Sequence, residues 1–179
     1  MGSLWTKLFG GKPAVLPILG LDCAGKTTLL FGMSRGEQVK STIPTIGFNV
    51  EEIKVGDTRL LGYDVGGGDK IRELWTHYYA NCAGVVFIID STDRQRVYQM
   101  KDLIARNLQD PQLVKKPILI LCNKQDIPGA LTPEELNNQL ELERSASNHP
   151  CKAFPISAIK LEGVEPAFKW LVDQIKKSK

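Results

Sequence analysis

This sequence has few cysteines and a small net charge, and each of these features excludes a class of protein. Only four of the 179 residues are cysteines, and no two of them have the spacing of zinc ligands. Their density is far below that of a disulfide-stabilised scaffold, so we interpret them as reduced thiols of a cytosolic protein. The net charge of +3 is too small to indicate a nucleic-acid-binding protein, and we expect no nucleic-acid partner.

Long hydrophobic stretches are also missing. The longest apolar runs, such as Val85–Ile89 with its flanks, hold about six residues and are too short to cross a bilayer. Met1–Phe9 contains no long apolar segment, so we expect no secretory signal there. The composition, 42% hydrophobic and 24% charged, is that of an ordinary globular protein. We therefore expect most of the chain to fold as a single domain around its own core.

Short apolar strands alternate with helical patterns along most of the chain. The predicted strands are Ala14–Leu19, Phe48–Val55, Thr58–Asp64, Gly84–Asp90, Pro117–Cys122 and Ala153–Ile156. The predicted helices are Lys26–Arg35, Ile71–Ala80, residues 97–108, a segment that begins with a capping box at Thr132–Glu135, and an amphipathic segment around Phe168–Ile175. Gly56 and Asp57 predict a two-residue hairpin turn of type II′. Because several strands are continuously apolar, we expect an α/β fold with a mostly parallel sheet and helices on both faces.

A phosphate-binding loop is predicted at the start of the first helix. Residues Gly20–Thr27 match the pattern G-x-x-x-x-G-K-T, between an apolar strand and a helix, which is the context that this motif requires. The backbone N–H groups of such a loop cradle phosphate oxygens, the ammonium of Lys26 reaches the terminal phosphates, and the hydroxyl of Thr27 ligates Mg²⁺. The nucleotide-binding residues predicted here are Asp22, Ala24, Gly25, Lys26, Thr27 and Thr28.

A second segment predicts which base the nucleotide carries. Asn123, Lys124 and Asp126 follow a buried strand, at the edge of the sheet where ligands of α/β proteins bind. A carboxylate at Asp126 can accept hydrogen bonds from the ring N–H and the exocyclic amine of guanine, and adenine does not offer that pair of donors. The Lys124 stem can lie along the base, and Asn123 can join this segment to the phosphate loop. Residues Ser157 and Ala158 would place a backbone N–H near the guanine carbonyl.

Two further segments have the features of nucleotide-dependent switches. Asp64–Gly67 fits the pattern D-x-x-G at a strand end, so Asp64 is predicted to hold Mg²⁺ through water and Gly67 to offer its N–H to the γ-phosphate. Thr45 lies in a loop between a helix and a strand and is the candidate second Mg²⁺ ligand, bound only when a γ-phosphate holds the loop in place. The rival interpretation at this stage is a P-loop ATPase or nucleoside kinase, and Asp126 argues against it.

Together these residues resemble the small GTPases of the ADP-ribosylation factor (Arf) and Arf-like family. The segments that carry the resemblance are Gly20–Thr28, Pro44–Glu51, Asp64–Gly67, Asp69–Arg72 and Asn123–Asp126. The resemblance implies a Ras-like fold with six strands and about five helices. It also implies a GTP/GDP switch with bound Mg²⁺ that acts in membrane traffic, controlled by guanine-nucleotide exchange factors and GTPase-activating proteins and acting on effector or coat proteins. Some segments look like Arf proper and others like Arf-like members, so the subfamily stays open.

The first twelve residues form a segment of their own, followed by the GTPase domain at 13–179. Met1–Thr6 matches the N-myristoylation pattern, with Gly2 as the acceptor, and the apolar residues of Leu4–Phe9 fall on one face of a short helix. One myristoyl chain binds membranes reversibly, so this amphipathic helix is expected to supply a second membrane signal. A helix that packs on the domain is the alternative, and the resemblance implies both, in different nucleotide states. We expect a cytoplasmic protein that associates reversibly with Golgi, endosomal or ciliary membranes.

The resemblance also identifies an effector patch and one departure from the family. Phe48, Tyr63 and Tyr78 correspond to the aromatic effector patch, in which Tyr63 replaces the usual tryptophan. Gly68 occupies the position of the glutamine that orients the attacking water, beside Lys26 and Gly67 in the catalytic set. Glycine has no side chain for this task, so we expect a very low intrinsic rate of GTP hydrolysis. The alternative function is a GTP-locked interaction module with no useful turnover.

Overall fold

A six-stranded sheet forms the centre of the protein. The computed structural model describes residues 13–36 and 48–178. Within them the strands are β1 Ala14–Leu19, β2 Phe48–Val55, β3 Thr58–Val65, β4 Val85–Asp90, β5 Ile118–Asn123 and β6 Cys151–Pro155. The helices are α1 Lys26–Arg35, α2 Asp69–Arg72, α3 Val97–Asn107, α4 Pro133–Leu140, α5 Leu142–Ser145 and α6 Val164–Lys177, with 3₁₀ turns at Trp75–Tyr78 and Pro111–Leu113.

The strand order is β2-β3-β1-β4-β5-β6, and only the edge strand β2 is antiparallel to its neighbour. Strands β4 and β5 lie in the middle of the sheet and are buried on both faces, as their continuous apolar sequences predict. Alternate residues of β4 enter different cores: Phe87 packs on the side of α3, and Ile88 packs on the side of α6. The predicted α/β fold, a mostly parallel sheet with helices on both faces, is therefore confirmed.

Local sequence signals account for several of the connections. The β2–β3 hairpin closes through Gly56 and Asp57, with Val55 paired to Thr58. Gly56 has a φ of +57° and Asp57 does not have a positive φ, as the predicted type II′ turn requires. At the start of α4, the Thr132 side chain accepts from the backbone N–H of Glu135, whose carboxylate accepts from the backbone N–H of Thr132. The predicted capping box is therefore confirmed.

One predicted helix is wrong in the structure. The sequence predicts a continuous helix over Ile71–Ala80, but α2 ends at Arg72 and a 3₁₀ turn follows at Trp75–Tyr78. The physical reason is tertiary: the buried indole of Trp75 donates a hydrogen bond to the carbonyl of Gly66, at the end of β3. This contact draws the segment back onto the sheet and overrides its helical pattern.

Other elements differ from their predicted bounds by a residue or two. Strand β6 covers Cys151–Pro155 rather than Ala153–Ile156, because backbone pairing with β5 already begins where Cys151 lies opposite Ile118. Strand β5 extends through Asn123, which places that side chain on the sheet itself and not in the following loop. In the described ranges, no helix has both the length and the apolar character needed to cross a membrane. The predicted N-terminal segment 1–12 lies outside the described residues.

Candidate functional site

The carboxyl ends of the parallel strands meet at one edge of the sheet, and the predicted site residues lie there. The phosphate loop follows β1, Asp64 is the last residue but one of β3, and Asn123 ends β5. Because the sheet is parallel from β3 to β6, these ends lie side by side without long connections. The fold therefore brings together chemical groups that are about a hundred residues apart in the chain.

Gly25 shows how tightly the phosphate loop is built. Its φ is +100°, and a Cβ at this position would lie 2.3 Å from Nδ2 of Asn123. Both the backbone conformation and the lack of space restrict this position to glycine. The loop can therefore turn into α1 while its backbone stays in contact with β5.

The ammonium of Lys26 lies inside the loop. Its Nζ donates to the carbonyls of Gly20 and Leu21, at 2.9 and 2.7 Å, and the residue is only 6% exposed. Burial lowers the pKa of Lys26 to about 8, although the carboxylate of Asp64 acts in the opposite direction. A bound phosphate would supply the negative charge that favours the charged form of this buried lysine.

Thr27 and Asp64 join the phosphate loop to β3. The Thr27 hydroxyl donates to Oδ2 of Asp64 at 2.5 Å, and the Asn49 amide donates to the same oxygen at 3.4 Å. Asp64 is fully buried. A hydroxyl and a carboxylate oxygen in contact form the hard donor set that Mg²⁺ prefers, so these residues fit the predicted metal. Thr45, the other predicted ligand, lies outside the described residues.

The segment after β3 lies directly on the phosphate loop. A Cβ added to Gly67 would lie 2.4 Å from backbone atoms of Gly20, Leu21 and Asp22, so only glycine permits this approach. A Cβ added to Gly68, by contrast, would meet no atom of the described residues within 4 Å, and the Gly68 carbonyl accepts from the backbone N–H groups of Ile71 and Arg72 in α2. The two adjacent glycines therefore have different surroundings.

Asn123 connects the phosphate loop to the two base-reading segments. Its side-chain amide donates to the carbonyl of Ala24 at 2.7 Å, and its carbonyl oxygen accepts from the backbone N–H of Ala158 at 2.9 Å. The residue is 2% exposed, so both hydrogen bonds are shielded from water. This single side chain fixes the distance between the part of the site that would hold phosphates and the part that would hold the base.

Asp126 is exposed and has one contact that orients it. Its Oδ1 accepts from the hydroxyl of the buried Ser157 at 2.7 Å, which leaves the rest of the carboxylate open toward the edge of the sheet. The backbone N–H of Gln125 donates to Ile156 and so holds the two segments together. The arrangement presents two acceptor oxygens at a fixed position, as recognition of paired N–H donors requires.

Lys124 is anchored by a residue that sequence reasoning missed. Its Nζ donates to Oδ2 of Asp90 at 2.5 Å, and it has a φ of +68°. Burial works to raise the pKa of Asp90, but hydrogen bonds from Lys124 and Thr92 outweigh it and hold the pKa below its usual value. Asp90 is a charged residue at the end of the apolar strand β4, and this feature of the sequence could have identified it as a site residue.

Arg96 is a second missed residue. Its Nη1 donates to Oδ1 of Asp22 at 2.9 Å and its Nη2 to the carbonyl of Asp22 at 3.3 Å, across 74 residues of sequence. The predicted nucleotide contact of Asp22 therefore has to come from its backbone, because its side chain turns toward α3. No local pattern signals such a long-range pair.

Two other predicted nucleotide-binding residues also lie at the phosphate loop. Ala24 is buried in the loop, and Thr28 lies in the first turn of α1.

The three aromatic residues of the predicted effector patch meet in space. The ring centroids lie 6.2 Å apart for Phe48 and Tyr63, 5.8 Å for Phe48 and Tyr78, and 6.0 Å for Tyr63 and Tyr78. Phe48 is 52% exposed, which is unusual for a large aromatic residue in a cluster. Phe48 begins β2, Tyr63 lies on β3, and Tyr78 ends the 3₁₀ turn that follows α2.

Comparison with known proteins assigns the family. A model of the ADP-ribosylation factor family matches residues 1–175. The chain belongs to this family. It is 41% identical over 177 residues to ADP-ribosylation factor-like protein 1 of Caenorhabditis elegans, covering 99% of this chain and 97% of that protein. It also resembles the solved structure of the Arl6 (BBS3) small GTPase from Trypanosoma brucei with bound nucleotide analogue GppNp. That match has a TM-score of 0.85 and 30% identity over 94% of this chain and all of that one.

The family assignment establishes the general activity of the site. The chain is a small GTPase with the Ras-like fold, and its family binds guanine nucleotide as a switch. Arf-like GTPases interact with exchange factors, GTPase-activating proteins and effectors. The phosphate loop and the base-reading segment predicted a small GTPase of the Arf family with a Ras-like fold. This prediction is confirmed for the family and for the fold.

Proposed function

We propose that this Arf-family protein is a magnesium-dependent GTP/GDP switch that recruits effector or coat proteins to membranes in membrane traffic. The observation that carries the proposal is the double hydrogen bond of Asn123, which ties the phosphate loop to the Ser157–Ala158 segment. A site whose two ends are held at a fixed spacing suits a ligand with a base at one end and phosphates at the other.

Each residue has a separate task in this proposal. Loop N–H groups and Lys26 bind the phosphates, while Asp126, oriented by Ser157, accepts two hydrogen bonds from guanine. The stem of Lys124, anchored at Asp90, covers one face of the base. The residues that would hold Mg²⁺ are Thr27, Thr45 and, through water, Asp64. When bound, Mg²⁺ would neutralise charge on the phosphates.

Equilibrium binding tests the nucleotide preference. The full chain, emptied of nucleotide and supplied with Mg²⁺, should bind GDP and GTP tightly and ATP at least about a thousandfold more weakly, because adenine lacks the paired donors that Asp126 reads. Calorimetric titration measures all three. Equal affinity for ATP and GTP would indicate the rival P-loop ATPase or kinase and would contradict the proposal.

The slow-turnover part of the proposal rests on Gly68. The γ-phosphate is expected to hold the Thr45 loop and the N–H of Gly67, but no side chain at position 68 orients the attacking water. GTP should then persist long after loading. A GTP-locked interaction module is the second candidate function, and the bare backbone of Gly68 is the observation that favours it.

A groove supports a role for the N-terminal segment. The groove, about 560 Å³ in volume, lies between α1, the β2–β3 turn and α6, and includes apolar residues Met33, Val55, Phe168 and Val172 in its lining. The amphipathic helix predicted for residues 1–12 would offer a complementary apolar face. We propose that it docks here in the GDP state and is released to the membrane when the hairpin slides by two residues, a shift that keeps every side chain on its face.

Myristoylation of Gly2 is the membrane part of this proposal. Co-expression with an N-myristoyltransferase should add one myristoyl group, seen by mass spectrometry, and the acylated GTP form should pellet with anionic liposomes. Gly2→Ala keeps an N-terminal amine but removes the glycine that the myristoylation pattern requires. The variant should therefore pellet at least about tenfold less, since a single acyl chain supplies much of the affinity. Ser3→Ala is the matched control. Pelleting of Gly2→Ala at the level of the control would contradict the proposal.

The aromatic patch supports the effector part. An exposed phenylalanine in contact with two tyrosines offers apolar area at low conformational cost, which suits a protein partner. Phe48 and Tyr63 lie on the hairpin that is proposed to slide, and Tyr78 lies on the segment after β3. A nucleotide-dependent shift of either element would change the patch, and this links GTP binding to partner choice.

A further inference from the structure

Arg72 carries a buried donor that the established site does not use. The side chain is only 11% exposed, although it extends from the four-residue helix α2 at the surface. Its Nε is buried, and within the described part of the chain no acceptor receives its N–H. One terminal amino group pairs with Asp69, which is 87% exposed. A buried guanidinium N–H with no acceptor is costly, and a bound ion is one arrangement that would remove this cost.

The surroundings of Arg72 place it beside the phosphate loop. Burial lowers its pKa, while the charge of Asp22 raises it and that of Arg96 lowers it. Burial is also the main reason that the pKa of Lys26 is lowered, and the charge of Arg72 contributes in the same direction. These mutual effects require that the guanidinium lie within electrostatic range of Asp22 and Lys26.

Asp22 does not satisfy this arginine. Its Oδ1 and its backbone carbonyl already accept from Arg96. Arg96 is paired with both Asp22 and Asp93, so in the described residues it is the Nε of Arg72 that still lacks an acceptor. A buried guanidinium N–H of this kind fits an anion, and a planar guanidinium fits phosphate oxygens in particular.

The position of α2 indicates which phosphate is reached. The backbone N–H of Arg72 donates to the carbonyl of Gly68 at 3.0 Å, so Arg72 lies one helical turn beyond Gly68. The preceding residue, Gly67, is packed on the phosphate loop. We infer that Arg72 binds the γ-phosphate of GTP and is a specificity residue that favours GTP over GDP. This inference rests on the proposed function, because it requires the phosphates to lie in the loop.

The test compares two nucleotides on the same variants. Arg72→Gln in the full chain should weaken binding of a non-hydrolysable GTP analogue about ten- to a hundredfold, the range expected for loss of a charge-assisted hydrogen bond. GDP has no γ-phosphate, so its affinity should change by less than about twofold. Arg72→Lys keeps the charge and should recover part of the loss. Arg106→Gln, an exposed arginine on α3, is the matched control.

The ratio of the two affinities separates this inference from its alternatives. A purely structural arginine would weaken GDP and the GTP analogue equally, and that result, or an unchanged ratio, would overturn the inference. Retained GDP binding shows that the variant is folded. If the unmodified chain binds both nucleotides but Arg72→Gln leaves the ratio of the two affinities unchanged, the proposed function is supported and the inference on Arg72 is wrong. If the unmodified chain binds neither nucleotide, the proposed function and the inference on Arg72 are both wrong.

Discussion

Replacing Gly68 by glutamine is expected to raise the single-turnover rate of GTP hydrolysis about a hundred- to a thousandfold, or roughly 3–4 kcal/mol of activation free energy. Catalysis of phosphoryl transfer depends on positioning and on charge, with little covalent work for the protein. A carboxamide at position 68 would orient the attacking water next to Gly67, which lies against the phosphate loop. The unmodified chain lacks that group entirely.

The structure provides room for the substitution. Gly68 has φ −68° and ψ 153°, which any amino acid adopts without strain, and no atom of residues 13–36 and 48–178 lies within 4 Å of the position that its Cβ would occupy. The glutamine should therefore be accepted without loss of stability. Among the residues that the structure describes, none therefore occupies the space that the missing side chain would fill.

The matched control is Gly68→Leu, which has a similar size but no amide. Both variants should melt at similar temperatures with GDP bound, and only glutamine should raise the rate. Nucleotide released from the unmodified protein after purification should be mainly GTP, and that from Gly68→Gln mainly GDP. An unchanged rate in Gly68→Gln, or an equal gain in Gly68→Leu, would contradict our account of this position.

Most of the fold could be predicted because its signals are local. Continuous apolar runs identified the central strands, and the turn at Gly56 and the capping box at Thr132 were readable within four residues. The error over Ile71–Ala80 arose where a long-range contact decides the geometry. The helical pattern of that segment could not show that the Trp75 indole is bound to Gly66.

The same distinction applies to the site. Residues such as Lys26 and Asp126 were predicted because each belongs to a short sequence motif with a recognisable spacing. Asp90 and Arg96 were missed, since each acts through a partner that is distant in sequence and near only in the folded protein. Sequence therefore predicts which groups meet the ligand better than it predicts which groups hold them in place.

Replacing Asp126 by asparagine is expected to lower the affinity for GDP and GTP about a hundred- to a thousandfold, because the carboxylate accepts from two donors on guanine and an amide offers one acceptor and one donor. Xanthine carries a carbonyl oxygen where guanine carries its exocyclic amine. An asparagine matches that donor and acceptor pair, so affinity for xanthosine diphosphate should rise in the variant. Competition binding with the three nucleotides measures both changes.

The variant should remain folded, because Oδ1 of the asparagine can still accept from Ser157, as Asp126 does at 2.7 Å. Asp102→Asn, an exposed carboxylate on α3, removes the same charge away from the base and is the control. It should bind GDP like the unmodified chain. A general electrostatic effect would weaken both variants alike and leave the preference for guanine intact. In that case another residue would recognise the base, and our assignment of Asp126 as the guanine-binding residue of the site would be wrong.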